Sequence, residues 1–286
     1  MAKAKKTHKP YSSAIVPPPA TEPKVLLFDI ETAPIIAHVW GLWENNVALN
    51  QVVADWHVMS WSAKWLDDGP EKTMYMDQRG APDISDDTQI LEGIWDLLNI
   101  ADVVVTQNGK HFDQKKLFAR FILQGVRDGH PPAHFKHEDT KIIASNVFGF
   151  TSNKLEYMTD KLCTKYKKLK HTKFPGHTMW TECLADNVEA WKEMEKYNKY
   201  DVLSLEELYY ILVPWSNKLN YNLYRDGTAN ECICGSKTFI KNGFYYGQSS
   251  KFQIYKCKGC GAPHRDKTNL FDKEKKASLT VAIPKN

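Results

Sequence analysis

Lys24-Val-Leu-Leu-Phe-Asp-Ile-Glu-Thr32 is the stretch of sequence from which the fold can be read. Its continuous apolar run is typical of a buried strand. Because side chains alternate between the two faces of a strand, Asp29 and Glu31 point to the same side. A single Asp at a strand end is commonplace, but a pair at this spacing directly after a buried strand is less common. We therefore expect a core strand that carries two carboxylates out of its end.

The apolar pattern downstream predicts further strands and helices. They are strands at residues 57–65, 72–77 and 102–107, and helices at residues 88–98, 113–124 and 189–212. The resulting order, three strands in a meander and then a helical crossover, fits an α/β fold with a mixed sheet flanked by helices. Residues between the second and third of these helices lack a clear period and predict a long irregular stretch.

Two later segments each place an acidic residue on one of these elements. Asp113 stands between the strand at 102–107 and the next helix, where capping of the helix is an equally good explanation for an Asp. Asp201 lies on the helix at 189–212, four residues after Tyr197, so the two share a helix face. That face is otherwise apolar, and a buried carboxylate is costly unless something binds it. A metal ion would resolve the conflict.

The three segments resemble, in order, the three exonuclease motifs of the DEDD superfamily, which has a ribonuclease H-like fold. The Tyr-x-x-x-Asp form of the third is similar to the tyrosine subtype, which includes proofreading domains of family A and B DNA polymerases. The resemblance covers roughly residues 24–212. It implies a 3′→5′ exonuclease that uses two Mg²⁺ or Mn²⁺ ions to release nucleoside monophosphates. It favours DNA with single-stranded 3′ ends as the substrate and leaves RNA open.

The resemblance also implies a role for each residue of the site. Asp29 would bridge both metal ions, Glu31 and Asp201 would help to hold the ion that activates water, and Asp113 would support the second ion. Tyr197 would orient the attacking water, because a phenol with a pKa of about 10 is a poor base at neutral pH.

Other polar residues are candidates for contact with the substrate. The resemblance suggests Asn108 and His111 as contacts for the terminal nucleotide, although His111 fits an ordinary surface residue equally well. Seven of the lysines between the second and third motifs are clustered in residues 154–173: Lys154, Lys161, Lys165, Lys167, Lys168, Lys170 and Lys173. They fit a phosphate-contacting surface and a solvated face equally well.

Four of the six cysteines form two close pairs near the C-terminal end. The pairs are Cys232-Ile-Cys234 and Cys257-Lys-Gly-Cys260, and each is followed by a glycine that permits a tight turn. Such pairs in an intracellular protein indicate a structural Zn²⁺ more than disulfides. The segment resembles a zinc ribbon, although its first pair departs from the commoner Cys-x-x-Cys spacing.

One histidine and two short strands complete the expectations for this region, and the other two cysteines lie outside it. His264 is a spare ligand for the zinc, whereas Cys163 and Cys183 are isolated and are expected to be core residues. Residues 238–240 and 252–256 read as short strands between the two cysteine pairs.

Charge is distributed unevenly along the chain, whose formal net charge is only +4. Residues 25–231 carry 22 basic and 30 acidic side chains, whereas residues 232–286 carry 11 basic and 3 acidic side chains. The aromatic residues of the second segment are interleaved with lysines, which favours binding to nucleic acid. The alternative for this segment is a structural knob or a protein-docking module.

Together these patterns predict four segments. They are a disordered basic and Pro-rich lead-in (1–23), the exonuclease domain (24–225), a zinc ribbon (226–270) and a basic tail (271–286). The chain has no secretory signal and no apolar run that would cross a membrane, so a cytoplasmic location is expected. Nucleic acid is the expected partner, together with a replication or repair protein. The rival from another class is a non-catalytic scaffold that binds nucleic acid on the same fold.

Overall fold

The computed structural model describes residues 22–43, 45–216, 219–225 and 230–283. Its strands are β1 (Val25–Thr32), β2 (Ile36–Ala37), β3 (Val52–Ala54), β4 (Val58–Trp65), β5 (Met74–Asp77), β6 (Val103–Thr106), β7 (Lys136–Asp139), β8 (Phe239–Tyr246), β9 (Lys251–Cys257) and β10 (Pro263–Arg265). Its α-helices are α1 (Thr88–Ile100), α2 (Asp113–Gln124), α3 (Thr140–Val147), α4 (Leu155–Leu162), α5 (Thr178–Leu184), α6 (Val188–Leu212) and α7 (Lys273–Ser278). The predicted lead-in falls almost entirely outside the described residues.

The main sheet has five strands in the order β5-β4-β1-β6-β7. Strand β1 pairs antiparallel with β4 and parallel with β6, so it lies at the centre of the sheet. Strands β4 and β5 complete the antiparallel meander, and β7 extends the parallel half. The predicted mixed α/β sheet flanked by helices is therefore confirmed.

The alternation of side chains along β1 divides the core into two halves. Leu26 and Phe28 pack in a cluster with apolar residues of α1 and α2, on one face of the sheet. Val25 and Leu27 pack on the other face, in a cluster with residues of α6. Each such buried side chain contributes about 1.5–3 kcal/mol relative to an exposed one. Because Asp29 continues the series of Val25 and Leu27, the carboxylates of β1 emerge on the α6 face.

The prediction of a long irregular stretch after α2 is wrong. The segment contains β7 and the helices α3, α4 and α5, none of which is longer than eight residues. Elements of this length fall short of the window in which an apolar period can be recognised. Local chemistry sets them instead: the Asp139 side chain caps α3 by accepting hydrogen bonds from the backbone N–H groups of Lys141 and Ile142.

A small hairpin between β1 and β4 was also not predicted. Its strands β2 and β3 pair only with each other and do not join the main sheet. The residues between them include Trp40, which is fully exposed, and Trp43, which is 86% exposed. The hairpin therefore adds an apolar projection to the chain directly after the carboxylate-bearing strand.

The cysteine-rich segment forms a second, three-stranded antiparallel sheet in the order β10-β9-β8. The two predicted short strands are present and longer than expected, and β10 is an addition. Gly235 and Gly261 both have a φ of +80°, the left-handed conformation that the turns after the cysteine pairs were expected to need. Ile233 packs against the α6 half of the core, which joins the small sheet to the larger domain.

Two further expectations concern the predicted basic tail at residues 271–286 and membrane-spanning segments. Helix α7 occupies part of the predicted basic tail, for which no helix was expected. No helix in the described ranges has both the length and the apolar character that a bilayer span requires.

Candidate active site and metal centre

Three of the predicted carboxylates meet at one point in the fold. Asp29 and Glu31 leave the end of β1, and Asp201 projects from the middle of α6 onto the same face of the sheet. One carboxylate oxygen from each of the three can be chosen so that all lie within 4.8 Å of one another. Asp201 is at least 170 residues from Asp29 and Glu31 along the chain, and the packing of α6 on β1 brings the three together.

Asp113 is bonded to the strand that carries Asp29 and Glu31 but is not part of the group of three carboxylates. It is the first residue of α2, is 3% exposed, and accepts a hydrogen bond of 3.2 Å from the backbone N–H of Ile30. The residue at the N-cap position of α2 is Phe112, so capping does not explain Asp113. Its carboxylate instead ties the start of α2 to β1, between Asp29 and Glu31.

Burial and mutual repulsion make the charged state of this cluster costly. Burial, and next the charges of Asp113 and Asp201, raise the pKa of Asp29 well above its ordinary value. Burial, followed by the charge of Asp201, raises the pKa of Glu31 to about 8. Burial raises the pKa of Asp113 to about 7. A multivalent cation would remove this cost because it favours the ionised form of every carboxylate around it.

The donor set fits hard divalent metal ions. Carboxylate oxygens are the ligands that Mg²⁺ and Mn²⁺ prefer. Asp201 is 2% exposed, and its Oδ1 atom has no hydrogen-bond partner among the described residues. A buried charged oxygen without a partner is expensive, so a ligand at this atom is expected on physical grounds.

Several residues around the cluster were not singled out from the sequence. Asn198 is fully buried, and its Nδ2 donates a hydrogen bond of 2.7 Å to Oδ2 of Asp29. Trp180, on α5, donates from Nε1 to Oε2 of Glu31 over 3.2 Å. These two bonds fix the orientation of the β1 carboxylates from α6 and α5. Asn198 stands next to Tyr197 in the third segment, a signal that was available, whereas nothing in the spacing indicates Trp180.

Lys168 is the cation of the site. Its Nζ lies 2.6 Å from Oδ2 of Asp201 and 4.4 Å from the centre of the Tyr197 ring. The sequence presented it as one of seven similar lysines, and only the fold separates it from the others. It places a positive charge beside the carboxylates, where a phosphate would have to approach.

Tyr197 lies on the same face of α6 as Asp201, as predicted, and is 7% exposed. Its ring packs against His171 and Trp180 at centroid distances of 5.3 and 6.3 Å. Burial raises the pKa of Tyr197 above its ordinary value. The hydroxyl therefore remains protonated at neutral pH and is able to orient a polar group rather than accept a proton.

Asn108 and His111 lie in the turn that leads from β6 into α2. Asn108 has a φ of +68°, and its backbone N–H donates to Asp139 Oδ1 over 2.9 Å. Its side-chain oxygen accepts from Lys141 Nζ at 3.1 Å. His111 is exposed. The structure thus gives Asn108 a role in the turn, and contact of either residue with a nucleotide stays a prediction.

The four paired cysteines form the second cluster that could hold a metal. One pair of sulfurs, Cys232 and Cys260, is 3.5 Å apart, and the other, Cys234 and Cys257, is 3.6 Å apart. Although burial raises it, hydrogen bonds led by the Cys260 backbone N–H lower the pKa of Cys257 to about 6. Four sulfurs that all lie within 4.8 Å of one another match the ligand set of a structural Zn²⁺ site.

His264 and the two isolated cysteines also have clear positions. His264 Nε2 lies 3.3 Å from Cys232 Sγ, so this spare ligand is adjacent to the cluster rather than distant from it. Cys163 and Cys183 are buried among apolar residues of the main domain, as expected.

The family described as the RNase_H superfamily matches residues 59–213. No curated protein matches the chain. A family B DNA polymerase from the hyperthermophilic archaeon Pyrobaculum calidifontis is among the similar solved structures, with 20% sequence identity and a TM-score of 0.48. The match covers 71% of this chain and 26% of the polymerase, so the chain corresponds to about a quarter of that structure.

Proposed function

The chain belongs to the RNase H superfamily, and from this premise we propose that it is a divalent-metal-dependent 3′→5′ exonuclease. The observation that carries the proposal is the meeting of Asp29, Glu31 and Asp201 within 4.8 Å, with Asp113 bonded to the backbone of β1 between Asp29 and Glu31. The direction of degradation rests on the order of the three motifs and on the Tyr197–Asp201 spacing, which resemble the tyrosine subtype of DEDD exonucleases.

Two Mg²⁺ or Mn²⁺ ions would be held by Asp29, Glu31 and Asp201, with Asp113 in support. Bound there, such ions supply a hydroxide nucleophile at neutral pH and stabilise the charge that develops on phosphate. The unpartnered Oδ1 of Asp201 and the raised pKa values of Asp29 and Glu31 support this assignment.

The protein's own groups orient the reactants. Asn198 and Trp180 hold the two β1 carboxylates in fixed rotamers, which preserves their spacing when a charged substrate arrives. The protonated hydroxyl of Tyr197 orients the attacking water. Lys168 adds a positive charge beside Asp201, where it offsets the charge of the scissile phosphate.

The cysteine-rich sheet would bind one Zn²⁺ through Cys232, Cys234, Cys257 and Cys260 and would hold the substrate. Residues 232–265 contain no Asp or Glu. Two of its cations already lie over aromatic rings: Lys251 Nζ is 3.9 Å from the Phe244 centroid, and the Arg265 guanidinium is 4.2 Å from that of Phe252. Rings and cations combined in this way suit single-stranded nucleic acid, with DNA favoured and RNA the alternative.

The test of the catalytic proposal is the loss of activity when the ligands are removed. Asp29→Ala and Asp201→Ala should each reduce the degradation of a 3′-labelled single strand with Mg²⁺ or Mn²⁺ by several orders of magnitude. A comparison of single-stranded DNA, duplex DNA and RNA, each labelled at either end, identifies the substrate and the direction. If cleavage survives both substitutions, the site is wrongly assigned. If the wild-type protein binds nucleic acid and never cleaves it, a non-catalytic binding protein is the better description.

A further inference from the structure

A groove with a volume of about 830 Å³ lies beside α6, between α4 and the loop that follows it. Six lysines line it: Lys154, Lys161, Lys165, Lys167, Lys168 and Lys170. We call this feature the lysine groove. It contains all but one of the seven lysines whose role the sequence left open between a phosphate-contacting surface and a solvated face.

The lysine groove has an excess of positive charge. Its acidic lining residues are Glu156 and Asp160, and Asp160 is shared between Lys161 and Lys167 at 3.2 and 3.4 Å. Three of its exposed lysines, Lys154, Lys165 and Lys170, form no ion pair among the described residues. On a body in which acidic residues outnumber basic ones, such a groove is where a polyanion would be held.

The groove leads to the carboxylate cluster. Lys168 lines the groove and also bonds to Asp201, so one side chain belongs to both. Tyr200, the residue before Asp201 on α6, forms part of the groove wall. A nucleic-acid strand whose 3′ end lies at the carboxylates would therefore pass directly into the groove.

The backbone that carries these lysines is held in place. Glu207 of α6 accepts hydrogen bonds from three consecutive N–H groups, those of Thr164, Lys165 and Tyr166, at distances from 2.6 to 3.1 Å. The N–H of Lys168 donates to the Thr159 hydroxyl over 3.3 Å. Lys165, Lys167 and Lys168 thus project from a fixed loop, and Lys154 and Lys161 project from the start and the last turn of α4, which reduces the entropy lost when they bind a ligand.

We propose that the lysine groove binds the phosphodiester backbone of the single strand immediately upstream of its 3′-terminal nucleotide. The inference rests on the proposed exonuclease function and adds the path of the substrate to it. Contacts of this kind release counterions, so the affinity they provide falls as salt rises.

The test replaces Lys154, Lys165 and Lys170 together by Gln and leaves Lys168 in place. Two substrates are compared: a 3′-labelled single-stranded DNA, and the p-nitrophenyl ester of thymidine 5′-monophosphate, whose leaving group stands where the upstream strand would be attached. For DNA, KM should rise roughly 10-fold, and the slope of log KM against log salt should fall by about 2, as expected for three lost phosphate contacts. Hydrolysis of the ester should not change.

The matched control replaces Lys24, Lys136 and Lys196 by Gln, since these are exposed lysines that form no ion pair among the described residues and do not line the groove. Thermal melting of both variants checks that they fold. Unchanged DNA kinetics in the groove variant, an equal effect in the control, or an equal loss on the ester would each overturn the inference while the wild type still cleaves. A wild-type protein that hydrolyses neither substrate would overturn the proposed function, and this inference with it.

Discussion

Asp201 illustrates what a carboxylate requires when an apolar helix face buries it. One oxygen bonds to Lys168 at 2.6 Å, and the other has no partner among the described residues. A single lysine cannot balance Asp29, Glu31 and Asp201 together, and burial raises the pKa of each of them. The three side chains are therefore arranged for a ligand with more positive charge than one ammonium group provides.

This arrangement predicts that the stabilisation given by metal depends on pH. The folded-state pKa values of Glu31 and Asp113, about 8 and about 7, lie above their ordinary values of 4.5 and 3.8. Their contribution to stability is thus present below the ordinary values and is lost as pH rises through 7 to 8. Mg²⁺ or Mn²⁺, which binds the ionised form, should raise Tm more at pH 8 than at pH 5.5 in thermal melts.

His137 also titrates in this pH range, but its effect on stability does not depend on metal. Burial lowers the pKa of His137 to about 4, so its contribution to stability is lost as pH falls below its ordinary value of 6.5. This effect is the same with and without metal and cancels in the difference. Equal metal-induced shifts at the two pH values would contradict the assignment of the carboxylates as ligands.

The site residues that could be predicted from the sequence are those whose orientation follows from the repeat of a strand or a helix. Alternation along β1 puts Asp29 and Glu31 on one side, and the helical repeat puts Tyr197 and Asp201 on one face. Trp180 acts on β1 from a distant segment that carries no motif, and Lys168 is chemically identical to its neighbours. Their positions depend on how α5, α6 and the preceding loop pack, which no local pattern contains.

At the scale of elements, length decides what could be predicted. Helix α6 has 25 residues and an apolar stripe, and the sequence placed its ends within one residue. The hairpin of β2 and β3 and the strand β7 have two to four residues each, too few for a period to appear. The cysteine-rich sheet was found through its cysteine pairs rather than its apolar pattern, because β8 is almost entirely exposed and β9 is only partly buried.

The small sheet should therefore depend on the proposed Zn²⁺. Its buried cluster consists of Cys232, Cys257 and Ala262, which is little apolar surface for a fold. Replacing Cys234 by Ser should remove zinc and unfold β8 to β10, because metal binding supplies the folding free energy there. Elemental analysis and protease resistance of this segment measure both effects. Cys163→Ser should keep its zinc, and substoichiometric zinc in the native protein would refute the site.

At the scale of the whole molecule, charge is divided between two parts. The main domain carries the carboxylates and an excess of acidic residues, whereas the sheet of β8 to β10 is basic. Outside the lysine groove, a polyanion is repelled by the first and attracted by the second, so the small sheet is expected to add affinity to a domain that carries the cleavage site.

Removal of residues 232–286 tests this division. The truncated protein should bind single-stranded DNA more weakly and with a flatter dependence on salt, because cationic contacts have been removed. Metal-dependent cleavage should persist at high substrate concentration. Fluorescence anisotropy over a salt series, paired with the 3′-end assay, measures both. Unchanged affinity would show that the sheet serves another purpose, such as docking a protein.

The hydrogen bonds between Glu207 and the loop after α4 should affect the susceptibility of the chain to proteolysis. Trypsin cleaves after lysine, and the loop offers it Lys165, Lys167 and Lys168 within four residues. A protease must draw a segment out in extended form, and here three consecutive N–H groups would first have to leave one carboxylate. We therefore expect this lysine-rich loop to be digested slowly by trypsin while the fold is intact.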